Sequence, residues 1–434
     1  MKIMFCFPPL ESSLGTPTLT QNRQFQYFKD PFLAYPIIPA CLATDLQREG
    51  HEVEWYDCIA ENLEWDAASI HIQLTRPDRI YMETKAPIHA EIVNFKKWIE
   101  KMLPKTEVIL FGDHIFSLGE NKIDFDKIGW EIDRELTKWR LYAYKNGNFK
   151  RTPGTYIMSA RDCWWGKCTF CSWTQMFPKY KVRPVEEVLD EIQRLADMGI
   201  KEIMDDSGTF PVGSWLREFC LGMIGRKLYE KVEIDCNMRF GVLSPVDYEL
   251  MRKAGFRMIL YGLESMNNET IEHLNKGIKV WEVVDELKLA TEYGLFPHLT
   301  VMFGFPWETR DDALKTVKAV KWMLKKGLAY SVQVSTCIPY PGTKLFEECK
   351  KKKWLGTEDL KYYDMQFPIM ECAYNPREMK DKVYSVVFTP EFILRKILGI
   401  RDLADLKYLW RVAKKIINFK LTYIERVWSG REPR

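Results

Sequence analysis

The order of apolar and polar positions predicts alternating strands and helices along most of the chain. Residues 2–7 form a short apolar run that stops at Pro8-Pro9, the pattern of a buried strand. Residues 36–48 place Ile38, Cys41, Leu42 and Leu46 at helical spacing, and Gly50 follows as a stop. Residues 53–56, 79–82 and 108–111 read as further strands, with a helix over 87–102. Alternation of this kind builds a doubly wound parallel sheet, a Rossmann-like α/β unit.

The alternation resumes at residue 155. Six strands are expected at 155–160, 201–204, 232–238, 257–261, 297–302 and 329–336, with helices over 186–198 and 214–228. Short polar clusters interrupt the apolar runs at the strand ends: Asp205-Asp206, Asn237 with Arg239, Glu264-Ser265, and the turn Gly304 to Thr309. Parallel barrels collect their ligand-binding groups at such ends. Six units predict an open (β/α)6 barrel. After Trp354 the alternation stops. Residues 373–378 read as loop, and 379–386 and 403–424 as helices. The expected organisation is a Rossmann-like domain over 1–150, a barrel over 151–355 and a helical region over 356–434.

Composition changes this picture only in places. The 434 residues exceed one ordinary domain, and 46% apolar with 28% charged residues fits sizeable cores. A net charge of +3 over this length gives no reason to expect a nucleic-acid partner. The N-terminus has no signal-peptide pattern, and no apolar run approaches the roughly 20 residues of a membrane span. Eleven cysteines then suggest reduced thiols in a cytoplasmic protein. From Glu391 onward eleven Lys or Arg face five Asp or Glu. The helix around Leu406 to Leu421 therefore suits either an anionic membrane surface or packing on the barrel with a solvated basic face.

The densest chemistry is Cys163-Trp164-Trp165-Gly166-Lys167-Cys168-Thr169-Phe170-Cys171. Thiolates this close suit a soft metal or a cluster better than a disulfide. A closed zinc site needs four ligands, and only three are present locally. Three thiolates on a [4Fe–4S] cube leave one iron open to substrate. A zinc knuckle with a distant fourth ligand is the alternative.

This loop resembles the cluster loop of radical S-adenosylmethionine (SAM) enzymes, with C-x4-C-x2-C in place of the usual C-x3-C-x2-C. The aromatic Phe170 before the last cysteine is typical of that family. The resemblance, over 155–354, implies a cluster on Cys163, Cys168 and Cys171 with SAM on the open iron. It implies that Asp205 and Asp206 meet the methionyl ammonium and that Glu264 and Ser265 contact SAM's ribose or methionyl end. Asn237 and Arg239 would line the same cavity, with Gly304, Pro306 and Phe170 beside adenine. The first 150 residues resemble the cobalamin-binding domain that precedes the barrel in one class of these enzymes, through Pro8-Pro9, Gly50-His51-Glu52-Val53 and Gly112-Asp113-His114. Gly112 and His114 would then contact cobalamin. A degenerate domain that only packs on the barrel is the other reading.

The resemblance implies reductive cleavage of SAM to a 5′-deoxyadenosyl radical, followed by cobalamin-dependent methylation of an unactivated carbon. Its rivals are cyclisation or rearrangement without methylation, and a non-catalytic iron–sulfur or zinc scaffold. The expected partners are a small-molecule or lipid substrate and an electron donor such as flavodoxin or ferredoxin. An exposed cluster also suggests an anaerobic setting. Cys337, after the sixth strand, is expected to face the cavity and act on the substrate radical, or else to be a small buried hydrophobe.

Overall fold

The computed structural model describes residues 1–10, 15–18, 27–28, 32–147, 149–177, 179–365 and 367–413. Two parallel sheets carry them. The first contains β1 (Lys2–Phe7), β2 (Glu52–Asp57), β3 (Arg79–Glu83) and β4 (Glu107–Phe111), in the order β2-β1-β3-β4. Every neighbouring pair is parallel. β1 lies inside the sheet, and its residues from Ile3 to Phe7 are all buried. A central parallel strand is covered on both faces, which is why its sequence is continuously apolar rather than alternating. Phe5 lies 5.7 Å from Trp55 and 5.0 Å from Tyr81, stacked between rings of both neighbours.

The second sheet contains β5 (Gly154–Ile157), β6 (Glu202–Asp205), β7 (Glu233–Met238), β8 (Phe256–Glu264), β9 (Phe296–Phe303) and β10 (Ser331–Thr336). Each strand pairs in parallel with its neighbour in sequence. The edge strands β5 and β10 do not pair with each other, so the sheet is an open half-barrel. Helices Val185–Asp197, Ser214–Gly225, Pro245–Lys253, Val283–Glu292 and Arg310–Lys326 fill the crossovers.

Local differences from expectation have local causes. β5 ends at Ile157, because the next backbone donors go to side chains. The Ser159 amide donates to Asp205 at 2.9 Å, and the Ala160 amide donates to Ser207 at 2.8 Å. β8 runs on to Glu264 through a bulge between Gly262 and Glu264. The loop expected over 373–378 is overtaken by helix Pro376–Tyr384, which has Asn375 as N-cap and proline at its first position. Helix Pro390–Leu398 was not expected. None of its residues is fully buried and of its apolar residues only Phe392 packs on the core, which leaves no stripe to read. Residues 403–413 are helical, and the rest of the expected helix lies outside the described residues.

The N-terminal ends of the barrel strands hold a buried charge network. The Arg257 guanidinium donates to Glu202 at 2.7 Å and to Asp235. Glu202 also accepts the amides of Lys150 and Arg151 at 3.0 and 2.7 Å. The C-terminal segment is tied beneath this network. Asp405 lies 2.5 Å from the Lys150 ammonium, and Asp402 lies 2.8 Å from Arg151. Arg411 donates to the carbonyls of Phe149 and Lys150.

Candidate functional site

The three-cysteine loop leaves β5 through Asp162, which sits at φ +64°. Only a few non-glycine residues adopt this left-handed conformation, and here it turns the chain toward the barrel mouth. Cys163 Sγ lies 3.0 Å from Thr209 Oγ1 on the neighbouring strand's loop. Gly208 passes so close that a Cβ there would lie 2.8 Å from the Cys163 nitrogen. On the other side, Trp165 donates to the Asn275 carbonyl at 2.8 Å, and the Thr169 amide donates to Leu274 at 3.0 Å. The Thr169 carbonyl accepts the Leu345 amide at 2.9 Å. The loop is therefore fastened to three separate parts of the barrel.

Cys163, Cys168 and Cys171 are half-buried and line one cavity of about 190 Å³. Among the described residues, no three His, Cys, Asp or Glu side chains gather as a single ion would need. The cysteines instead border a common hollow. That suits a polynuclear cluster, in which each thiolate holds a different iron. Burial pushes the Cys168 thiol up to about 11, and the positive charges of Lys276 and Arg239 act against that rise.

The same cavity is lined by Phe170, Asp206, Asn237, Arg239, Glu264 and Lys276. Glu264 is held at φ +62° by the bulge in β8 and forms a buried ion pair with Lys276. Arg239 lies 4.2 Å from the Trp165 ring centroid, and desolvation lowers its proton affinity. Two carboxylates and two cations around one hollow are complementary to a zwitterion. The wall from β9, β10 and the segment beyond them carries no charge: Thr300, Met302, Gln333, Ser335, Ile338, Tyr340 and Met365.

Not every expected residue reaches this cavity. The Asp205 carboxylate is committed to the amides of Ser159 and Ser207, so of the pair only Asp206 lines the hollow. Ser265 donates instead to Glu308 at 2.7 Å. Glu308 also accepts the hydroxyls of Thr270 and Tyr374, and burial raises its proton affinity. Gly304 and Pro306 do not line the cavity, and the Gly304 amide donates to Tyr374 at 2.9 Å. Of the two readings of Cys337, its surroundings favour the small buried hydrophobe. β10 ends at Thr336, so its alternation does not carry on, and Cys337 is buried with Leu274, Phe305, Leu345 and Met370 rather than at the cavity. Lys276 went unread, because it follows helix Asn268–His273 and belongs to no strand end.

In the N-terminal sheet, Gly112 follows β4 at φ +122°, and a Cβ there would lie 2.4 Å from the Thr84 carbonyl oxygen. His114 is buried, with its ring 4.6 Å from that of His89. Just after β3, Ala86 packs in a cluster with Ile338 and Met365, two residues of the cavity wall. The C-terminal edge of this sheet thus adjoins the mouth of the half-barrel.

Residues 157–320 match the model of the radical SAM superfamily. The chain carries a radical SAM domain. This match favours the iron–sulfur reading of the cysteine loop over the zinc-knuckle and scaffold readings. An uncharacterized methyltransferase of Pyrococcus horikoshii is 23% identical over 93% of this chain and 95% of its own length. An anaerobic magnesium-protoporphyrin IX monomethyl ester cyclase of Cereibacter sphaeroides is 29% identical over 60% of this chain and 42% of its own. Among solved structures, the radical SAM methyltransferase TsrM of Kitasatospora setae, with cobalamin and a [4Fe-4S] cluster bound, superposes with a TM-score of 0.64. It covers 90% of this chain and 91% of its own at 13% identity, a likeness of fold that spans both sheets.

Proposed function

We propose that this radical SAM enzyme is a cobalamin-dependent methyltransferase acting on an unactivated carbon. One observation carries the reading: Cys163, Cys168 and Cys171 share a cavity with Asp206, Arg239, Glu264 and Lys276. The three thiolates would hold a [4Fe–4S] cluster and leave one iron for SAM. When bound, the cluster supplies the electron that cleaves SAM to a 5′-deoxyadenosyl radical, and a corrinoid supplies the methyl group. The chain's own residues do the rest. Lys276 and Arg239 offer positive charge to a carboxylate, and Asp206 and Glu264 offer negative charge to an ammonium. Phe170, Met302 and Met365 narrow the cavity with apolar surface and exclude water.

A corrinoid would lie at the junction of the two sheets, with Gly112 and His114 on its N-terminal side. The close approach of Gly112 to Thr84 supports this, because only a residue without a side chain can form that edge. The names of the methyltransferase relative and of TsrM point the same way. The cyclase relative supports a second reading, radical cyclisation without methyl transfer. The substrate would be a small molecule or lipid with a neutral portion against the β9–β10 wall, and a flavodoxin or ferredoxin would supply electrons. We place the enzyme in the cytoplasm. Among the described residues no helix is long and apolar enough to cross a membrane.

The test is to reconstitute the protein under anaerobic conditions, reduce it and measure 5′-deoxyadenosine beside the visible absorbance of bound cobalamin. Formation of 5′-deoxyadenosine with about one corrinoid per chain is expected. Cleavage of SAM without corrinoid binding would overturn the methyltransferase reading, and absence of both would overturn the assignment of the cavity.

A further inference from the structure

The C-terminal segment is amphipathic in the wrong sense for packing. In the helix over 403–413, the polar residues face the barrel: Asp402 and Asp405 pair with Arg151 and Lys150, and Arg411 caps two carbonyls. Leu403, Leu406 and Trp410 lie at i, i+3 and i+7 on the outward side. The preceding helix, Pro390–Leu398, repeats the arrangement. Its Lys396 turns inward, donating to the Tyr330 carbonyl at 2.6 Å, while Leu394, Ile397 and Leu398 turn outward. These six apolar side chains are 53% to 74% exposed. Soluble surfaces rarely leave so many large apolar residues together without an occupant.

Charge identifies the occupant. The acids of this segment are already engaged, Asp402 and Asp405 as above and Glu391 with Lys325 at 3.6 Å. Lys407 is exposed beside this face, while Arg395 and Arg401 line the groove between the segment and the barrel; none of the three has a carboxylate partner in ion-pair range among the described residues. Residues 414–434 add six Lys or Arg against two Asp or Glu in the sequence. An apolar face bordered by unpaired cations is complementary to an anionic lipid bilayer, where the side chains enter the acyl boundary and the cations meet headgroups. We propose that the outward face of residues 390–410 docks this enzyme on an anionic membrane. Both helices sit at the N-terminal ends of the barrel strands, Lys396 beside the start of β10 and Arg411 beside the start of β5. Docking there turns the cysteine loop toward the aqueous side. This inference does not depend on the cobalamin reading.

The test is co-sedimentation of the full chain with phosphatidylcholine vesicles, with and without phosphatidylglycerol, at low and high salt. Binding to the anionic vesicles alone, weakened by salt, is expected. Leu398→Glu with Trp410→Glu should lower the bound fraction about tenfold or more while 5′-deoxyadenosine formation stays at the wild-type level. If that pair misfolds, Arg401→Glu with Lys407→Glu tests the electrostatic half. Equal sedimentation with both vesicle types, or of both variant pairs with wild type, overturns the proposal. So does a lipid-free dimer that Leu398→Glu with Trp410→Glu converts to monomer, which would make a second copy the occupant. Strong hydrogen-exchange protection of residues 390–410 that removal of 414–434 abolishes would assign the face to that tail.

Discussion

The two ends of the half-barrel both bury charge, and they use it differently. At the N-terminal end, Arg257 donates to Glu202 and Asp235, and Glu202 accepts two further amides. The cavity at this end, lined by Phe296, Tyr330, Phe392 and Lys396, does not include Arg257, Glu202 or Asp235 among its described lining residues. At the C-terminal end, Glu264 and Lys276 pair beside a hollow, and Asp206, Arg239 and three thiols border the same space. A closed network fixes the fold, because removing one member strands the others. Charges around a hollow keep capacity for a ligand. The contrast matches the division of parallel barrels into a stabilising face and a chemical face.

The largest expected effect breaks the chemical face alone. Cys168→Ala should abolish 5′-deoxyadenosine formation and most of the iron–sulfur absorbance, with the unfolding midpoint of the apoprotein little changed. Wild-type cleavage of SAM in this variant would remove the cluster assignment. Arg257→Met should do the reverse. It strands Glu202 and Asp235 without compensation and should cost about 3–5 kcal/mol of stability in denaturant titrations. Cofactor loading per folded molecule should be unaffected.

A pH series sharpens the comparison. His298, on β9 and hydrogen-bonded to Ser331 at 2.8 Å, has its proton affinity lowered to about 4 by burial, with Lys396 and Arg257 adding to the effect. The unfolded chain then binds the proton first as pH falls. Stability from this residue is fully present above about 6.5 and is lost as pH falls toward 4, by about 3 kcal/mol. His298→Asn should flatten that part of the pH–stability curve, measured by denaturant midpoints. An unchanged slope would mean that His298 does not carry it. The smallest effect belongs to Cys337. Cys337→Ala should retain full product yield and lose about 1 kcal/mol of stability, as for a small buried hydrophobe. Altered product would return its thiol to the chemistry.

The parts legible in the sequence were those with a local period or spacing. Ten strands could be read because each is a buried run ended by a polar cluster, and the cysteines because three thiols in nine residues have few uses. What escaped depends on contacts distant in sequence. Asp205 and Asp206 look alike in the chain, and only the amides of Ser159 and Ser207 separate them. Glu308 reads as the start of a helix. Thr309 takes that role with a capping box to Asp312, which leaves Glu308 to gather hydroxyls from Ser265, Thr270 and Tyr374. The Pro390–Leu398 helix escaped for a different reason: most of its apolar residues point away from the core that pattern reading assumes.

The fastening of Cys163 bears on how this loop tolerates changes of length. Gly208 abuts the Asp162–Cys163 backbone, and Asp162 is locked in a left-handed turn, so neither side of that contact can accept an added residue without separating β5 from β6. The arc from Trp164 to Lys167 is bordered by solvent at Gly166 and Lys167. An insertion there swells outward and leaves both anchored ends where they were. The extra residue between the first two cysteines falls on this arc, so the loop carries its added length as a surface loop does, while the thiols keep their address.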